Sequence, residues 1–162
     1  MKWSEWLANW GMSSLKIKTG FAELEFKPQD ADRDAAWEMY IELLTRITTQ
    51  ALPADHGDEK TALESIHSLF PTTREIIKCH KRHALEFTKI AILVLNQIVR
   101  PFTAKWHRLS LENAFDDPAQ CQLFREELSA LQAQLTRYTV LLGNMVGIEE
   151  DLTQLEQSDD SN

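Results

Sequence analysis

Cysteine is scarce in this chain. Cys79 and Cys121 are the only two, too few for a disulfide framework, and both sit in helix-like contexts where a buried free thiol is usual. Long apolar runs are also missing. The most apolar stretch, Ile90 to Val99, is broken by Asn96 and Gln97 and flanked by Lys89 and Arg100, well short of the roughly 20 residues that a bilayer span needs. The N-terminus carries Lys2 and three tryptophans but no small-residue cleavage site, so a signal peptide is not expected. No phosphate loop, nucleotide fingerprint, nucleophile elbow or paired metal motif is present, no cofactor is implied, and there is no internal repeat. The expectation is a soluble, cytoplasmic protein with one domain, large enough at 162 residues to bury a core without disulfides or metals.

Bases are absent from residues 146–162, which hold six acids and so account for most of the net charge of -8. Residues 22–65 add eleven acids against four bases. Residues 74–108 reverse this, with eight bases (Arg74, Lys78, Lys81, Arg82, Lys89, Arg100, Lys105 and Arg108) against Glu75 and Glu86. A dipolar molecule follows. Its basic stretch suits phosphate, and therefore RNA or DNA, with Trp106 as a stacking surface; it equally suits the chain's own acidic helices or an acidic protein partner.

The apolar pattern is helical almost throughout. Trp3, Trp6, Leu7 and Trp10 form one stripe of a short helix over 1–11, with Gly11 as its stop. Those tryptophans either fold onto the core or dock a partner. Residues 14–27 alternate as strands do around Thr19-Gly20, which predicts a small hairpin or an extended wrap. A helix from the Asp30–Asp34 caps buries Ala36, Tyr40, Leu43, Leu44 and Ile47 and ends near Ala51. Another starts near Asp58 and breaks or kinks at Pro71. Residues 84–100 are apolar almost all round, which predicts an axis enclosed by the other helices, ending or bending at Pro101.

Asp117-Pro118 opens a last helix whose Cys121, Phe124, Leu128, Leu131, Leu135, Tyr138, Leu142 and Met145 form a heptad seam. The axis helix is the simplest partner for that seam; a homodimeric coiled coil is the other. The expected architecture is an all-α bundle of four to five helices over residues 1–148, followed by an acidic, disordered tail over 149–162.

Arg100 and His107 stand with six residues between them where the apolar helix emerges: Arg100-Pro101-Phe102-Thr103-Ala104-Lys105-Trp106-His107. On a small helical bundle this resembles the HEPN ribonuclease signature. The resemblance implies a dimer that cuts RNA without metal, with His107 as general acid or base at the 2′-hydroxyl and Arg100 on the phosphate. Arg74 to His80 satisfies the same loose pattern. Cys79, His80 and His83 can bring two ligands to one helix face, with His56 or His107 as distant partners, but Lys81 and Arg82 repel a cation and no metal site is assigned. The segments Asp30–Tyr40, Thr45–Gln50 and Arg100–His107 are also similar to a small bacterial helical family that accompanies conflict or anti-phage gene systems. That likeness implies an accessory or regulatory subunit with a protein partner. Its candidate binding residues are Trp3, Trp6, Trp10, Arg74, Lys78, Lys81, Arg82, Lys105, Trp106 and Arg108.

Overall fold

The first helix, α1 (Trp3–Asn9), stops at Gly11, whose φ of 69° is one that a glycine adopts without strain. This and everything below comes from a computed structural model that describes residues 1–55 and 57–155. His56 and the acidic residues of 156–162 named above lie outside the described residues. The expected hairpin over 14–27 does not form. Thr19-Gly20 winds into a single helical turn, α2 (Thr19–Ala22), and the flanking extended residues pair elsewhere. Lys2 and Glu25 make an isolated antiparallel bridge, while the backbone N–H and C=O of Lys16 bond the side-chain amide of Gln97 at 2.7 and 2.8 Å. This is an extended wrap held by the helices, and among the described residues there is no strand.

Helix α3 (Asp30–Leu44) starts where the acid-rich caps predict and stops seven residues early. The cause is its threonines. Thr48 and Thr49 each donate a hydroxyl to the carbonyl of Leu43 (2.6 and 2.9 Å), satisfying that end of the helix without a further turn. Asp58 caps α4 (Glu59–His67) through the N–H of Thr61 at 2.8 Å. The break then comes at Ser68, and Pro71 falls in the first turn of α5 (Leu69–His80), where its missing N–H costs nothing.

A 3-10 turn over Lys81–Ala84 leads into α6 (Leu85–Val94), a π-helical turn (Leu95–Val99) and α7 (Arg100–Leu111). The chain thus runs on through Pro101 instead of ending there. Proline cannot donate to the carbonyl four residues back and crowds it; the turn just before widens, and Arg100 donates to Leu95, five residues back. The axis is not enclosed on all sides, contrary to expectation. Phe87, Ile90, Ala91, Val94 and Val99 are buried, but Ile92 is 48% exposed and Leu85 faces solvent beside it.

Helix α8 (Pro118–Val146) follows its heptad. Every seam residue from Phe124 to Met145 is buried, with Cys121 half-buried, but the principal partner of the seam is α3 rather than the axis helix. Gly143 lets the two helices close: a Cβ there would lie 3.1 Å from the ring of Tyr40. The molecule is therefore an all-α helical bundle with α3 and α8 at its centre. Cys79 is exposed, so the buried thiol expected there is not found. Residues 152–154 of the acidic tail form a 3-10 turn that donates the N–H of Leu152 to the Tyr40 hydroxyl, so this part of the tail is anchored, not disordered.

Two buried or half-buried carboxylates join the N-terminal half to α6. Asp32, 1% exposed, accepts from the N–H of Gln29 (2.7 Å) at the start of α3 and from the N–H of Phe87 (2.9 Å) in the first turn of α6. Glu86 accepts from the indole N–H of Trp3 (3.1 Å) and the backbone of Lys27 (3.3 Å), and pairs with Lys89 at 2.7 Å. Each acid satisfies helix-terminal or arm donors that would otherwise be lost from water.

Candidate functional site

Arg100 and His107 both lie on α7, and seven residues are within about 20° of two full turns, so the two side chains leave one face about 10 Å apart. Two residues of α4 and α5 fill the space beside them. The Arg100 guanidinium lies 4.7 Å from the centre of the Phe70 ring and donates twice, at 3.2 Å, to the side-chain oxygen of Asn96 in the π turn. The His107 ring is 4.7 Å from that of His67, which in turn is 5.6 Å from Phe70. A row His107, His67, Phe70, Arg100 results, with both imidazoles free of hydrogen bonds among the described residues.

Partial burial holds the His107 imidazole below its ordinary pKa, and the adjacent His67 adds to this; Glu64 opposes. His107 is consequently a neutral base near pH 7, beside an arginine held flat by stacking and hydrogen bonding. Sequence spacing found Arg100 and His107. His67 and Phe70 were missed because their proximity depends on α4 and α5 packing across α7, which no local pattern encodes; Asn96, four residues before Arg100, could have been found by helical spacing. The second match to the same pattern separates: Arg74 is exposed, while His80 pairs with Glu38 at 2.8 Å.

The basic stretch divides. Lys89 pairs with Glu86, Lys105 with Glu127 and Arg108 with Glu112. Arg74, Lys78, Lys81 and Arg82 are exposed and make no ion pair among the described residues. Lys81 is strained, with φ 57° and ψ −150°, a region close to glycine's own. Trp106 is 0% exposed, packed edge-on to Phe124 and donating its indole N–H to Glu127 at 2.7 Å, so it is a core residue and not a stacking surface. Trp3 and Trp6 are likewise enclosed, Trp6 stacked on Phe26 with ring centres 3.8 Å apart. Of the two readings of these tryptophans, their burial favours an arm folded onto the core over docking. Trp10 is half-buried and lines a small cleft with Tyr40, Glu149, Glu150 and Asp151.

Two apolar surfaces do face out. On α3, Trp37 (44% exposed) and Ile41 lead to a cleft of about 570 Å³ bounded by Leu44, Leu152 and Leu155, the last 76% exposed. Asp30, Asp34 and Glu38 share that exposed side of α3, Asp30 paired with Arg33 and Glu38 with His80, while the cleft itself is lined by apolar and neutral polar residues. The other is a cleft of about 360 Å³ between the arm and α6, floored by Ile17, Phe21, Ile92 and Leu93 and ringed by Lys16, Lys18 and Lys89. Neither was visible in the sequence, where Ile92 lies within the stretch read as an enclosed axis. Among the described residues no helix is long and apolar enough to cross a membrane. Neither a family model, a curated protein nor a solved structure matches the chain, so its function has to be read from these residues alone.

Proposed function

We propose that the chain is a non-enzymatic interaction module, a regulatory or accessory subunit of a multi-protein bacterial system, with anti-phage defence as the setting that its sequence resemblance suggests. One observation supports this most. Two clefts present exposed apolar side chains to solvent: one holds Ile41 and Leu155, with Trp37 one turn away on α3, and the other, ringed by lysines, holds Ile92. Apolar patches rimmed by polar groups are the usual form of a docking surface. Copurification from native cells tests the reading. A defined partner should accompany the wild-type chain and weaken with Trp37→Ala or Ile92→Ala; a chain that emerges alone, under conditions that preserve known complexes, ends it.

A second reading is favoured by the shared face of Arg100 and His107. As a HEPN-like dimer the chain would cleave RNA: His107 takes the 2′-hydroxyl proton, the 2′-oxygen bonds to phosphorus, and the 5′-oxygen leaves with a proton from a second imidazole. Arg100 would hold the non-bridging oxygens as charge builds on them. His67, beside His107, is a candidate for that second imidazole within the same protomer. Overexpression should arrest growth and His107→Ala should relieve it. Arrest unchanged by both His107→Ala and Arg100→Ala removes the nuclease reading.

A further inference from the structure

We infer that the lysine-ringed cleft between the arm and α6 receives an extended, acidic segment of a partner protein, with one apolar side chain seated against Ile92. The inference rests on the interaction-module reading and names its partner chemistry. Three independent features of the cleft converge on this occupant.

The first is charge. Lys16 and Lys18 are exposed and form no ion pair among the described residues, so two ammonium groups stand unopposed at the rim. Lys89 closes the third side; although paired with Glu86, it also lies 5.7 Å from the centre of the Phe21 ring, so its stem roofs the apolar floor. A carboxylate on either side of an apolar residue meets this ring of cations. A basic segment would be repelled.

The second is the floor. Ile17, Phe21, Ile92 and Leu93 present aliphatic and aromatic carbon, and the volume of about 360 Å³ exceeds what a single leucine or phenylalanine fills, so one side chain enters without displacing the wall. Ile92 lies in the middle of an otherwise apolar helix, where nothing in the chain's own packing uses its exposed face.

The third is the backbone. Residues 16–18 belong to no helix, Lys18 is extended, and Gln97 already pairs with the N–H and C=O of Lys16, as a neighbouring strand would. The N–H and C=O of Ile17 and the N–H of Lys18 take no hydrogen bond among the described residues. An extended peptide laid along Ile17 satisfies the N–H and C=O of that residue, and the alternation of its side chains places acids at the lysines and an apolar residue over the floor. A helix could not use those groups, because its own backbone donors and acceptors are spent internally.

The test uses a capped octapeptide that alternates leucine with aspartate or glutamate, titrated into the whole chain and followed by amide and methyl NMR. Shifts are expected at Ile17, Lys18, Phe21 and Ile92. Ile92→Glu and the pair Lys16→Glu with Lys18→Glu should each weaken binding by about tenfold or more, since one removes the apolar seat and the other reverses the rim. These positions are exposed at the surface, so the variants are expected to keep the wild-type helical circular dichroism. N-methylation of the peptide backbone should weaken binding to a similar degree. Shifts centred on Arg74, Lys78 and Arg82 instead, equal binding of a lysine–leucine peptide, or indifference to Ile92→Glu each overturn the inference. So does displacement of the peptide by phosphatidylglycerol vesicles that bind with the same dependence on Ile92 and with no need of a peptide backbone. Copurification separates this failure from that of the module reading. A Lys16→Glu, Lys18→Glu, Ile92→Glu chain that still retains the wild-type partner overturns the surface alone, whereas a wild-type chain without any partner overturns both.

Discussion

Two long helical rods cross this molecule, and the less apolar one is the better buried. Helix α8 carries its apolar residues on one seam, runs 29 residues without a break, and is capped at both ends: Asp117 accepts from Ala119 at the start, and Gly147, at φ 87°, ends it. The rod from Leu85 to Leu111 is most apolar in its first half, α6, yet it contains a π turn and leaves Leu85 and Ile92 in water. A seam with one period tells its neighbour where to sit. An all-round apolar surface gives no such instruction, so its packing is settled by specific polar contacts instead: Asp32 and Glu86 at one end, Gln97 in the middle, Glu127 on Trp106 at the other. Uncovered carbon is what remains, and that is where partners are proposed.

Equal truncations on the two rods should therefore behave unequally. Leu135 is fully buried in the seam facing α3, and Leu135→Ala should cost about 2–5 kcal/mol, the range for a cavity that only partly collapses. Ile92→Ala, on the more apolar rod, should shift stability by no more than about 0.5 kcal/mol, because the side chain is already half in water. Urea midpoints read both. A loss at Ile92 as large as that at Leu135 would mean that the cleft is closed in solution and the comparison is wrong.

The polar contacts on the irregular rod can be broken as well. Asp32→Ala removes one carboxylate that serves two helix starts, leaving the buried N–H of Phe87 and the part-buried N–H of Gln29 without their acceptor. The expected loss is about 2–3 kcal/mol, a lost cap at each helix plus the cost of stranded donors. Amide exchange should rise first at the beginning of α6 and leave the middle of α8 protected. Asp32→Asn keeps an acceptor oxygen and should recover part of the loss.

How much of this was legible follows the same division. The start of α4 at Asp58, the start of α8 at Asp117-Pro118 and the whole seam from Phe124 to Met145 are local patterns, and they appear as read. What failed depended on neighbours distant in sequence. The alternation at 14–27 left a hairpin and an extended wrap both open because it could not reveal that Gln97, 81 residues from Lys16, would pair with its backbone. The end of α3 was misjudged because Thr48 and Thr49 fit a helix by period but prefer to bond its last carbonyls. Trp3, Trp6 and Trp106 stayed open between core and docking roles because an aromatic at a terminus or after a proline carries no mark of burial. At the candidate site, Arg100 and His107 were found by spacing along one helix; His67, which completes the row, comes from α4 and left no trace in the local sequence.

The basic turn that feeds the irregular rod stores strain that can be relieved. Lys81, at φ 57° and ψ −150°, occupies a conformation that costs a side-chain-bearing residue about 1–3 kcal/mol and glycine almost nothing. Glycine loses about 0.5–1 kcal/mol elsewhere through greater freedom in the unfolded chain, so Lys81→Gly should raise stability by a net of about 1 kcal/mol. Thermal melts at matched ionic strength measure it. A decrease would show that the lysine side chain makes a contact worth more than the strain.

The smallest effect expected is a pH dependence, and it belongs to His107 alone on this rod. Burial and the neighbouring His67 lower its folded-state pKa below the ordinary 6.5. The unfolded chain therefore binds the proton more readily than the folded one. The stability that this group contributes is complete above about pH 6.5 and declines as the pH falls from there through the lower folded value. Partial exposure screens the effect and keeps it modest. Urea midpoints taken between pH 7.5 and 5 should slope downward with acid, and the slope should flatten in His107→Asn, where no charge can form. The Asp58 cap, whose carboxyl is lowered by its bonds to Thr61, acts in a more acid window below its ordinary 3.8 and so does not confuse the measurement. A slope that persists unchanged in His107→Asn would overturn the place of His107 as the neutral base of the nuclease reading, since its burial and the nearby His67 are what lower its affinity for the proton.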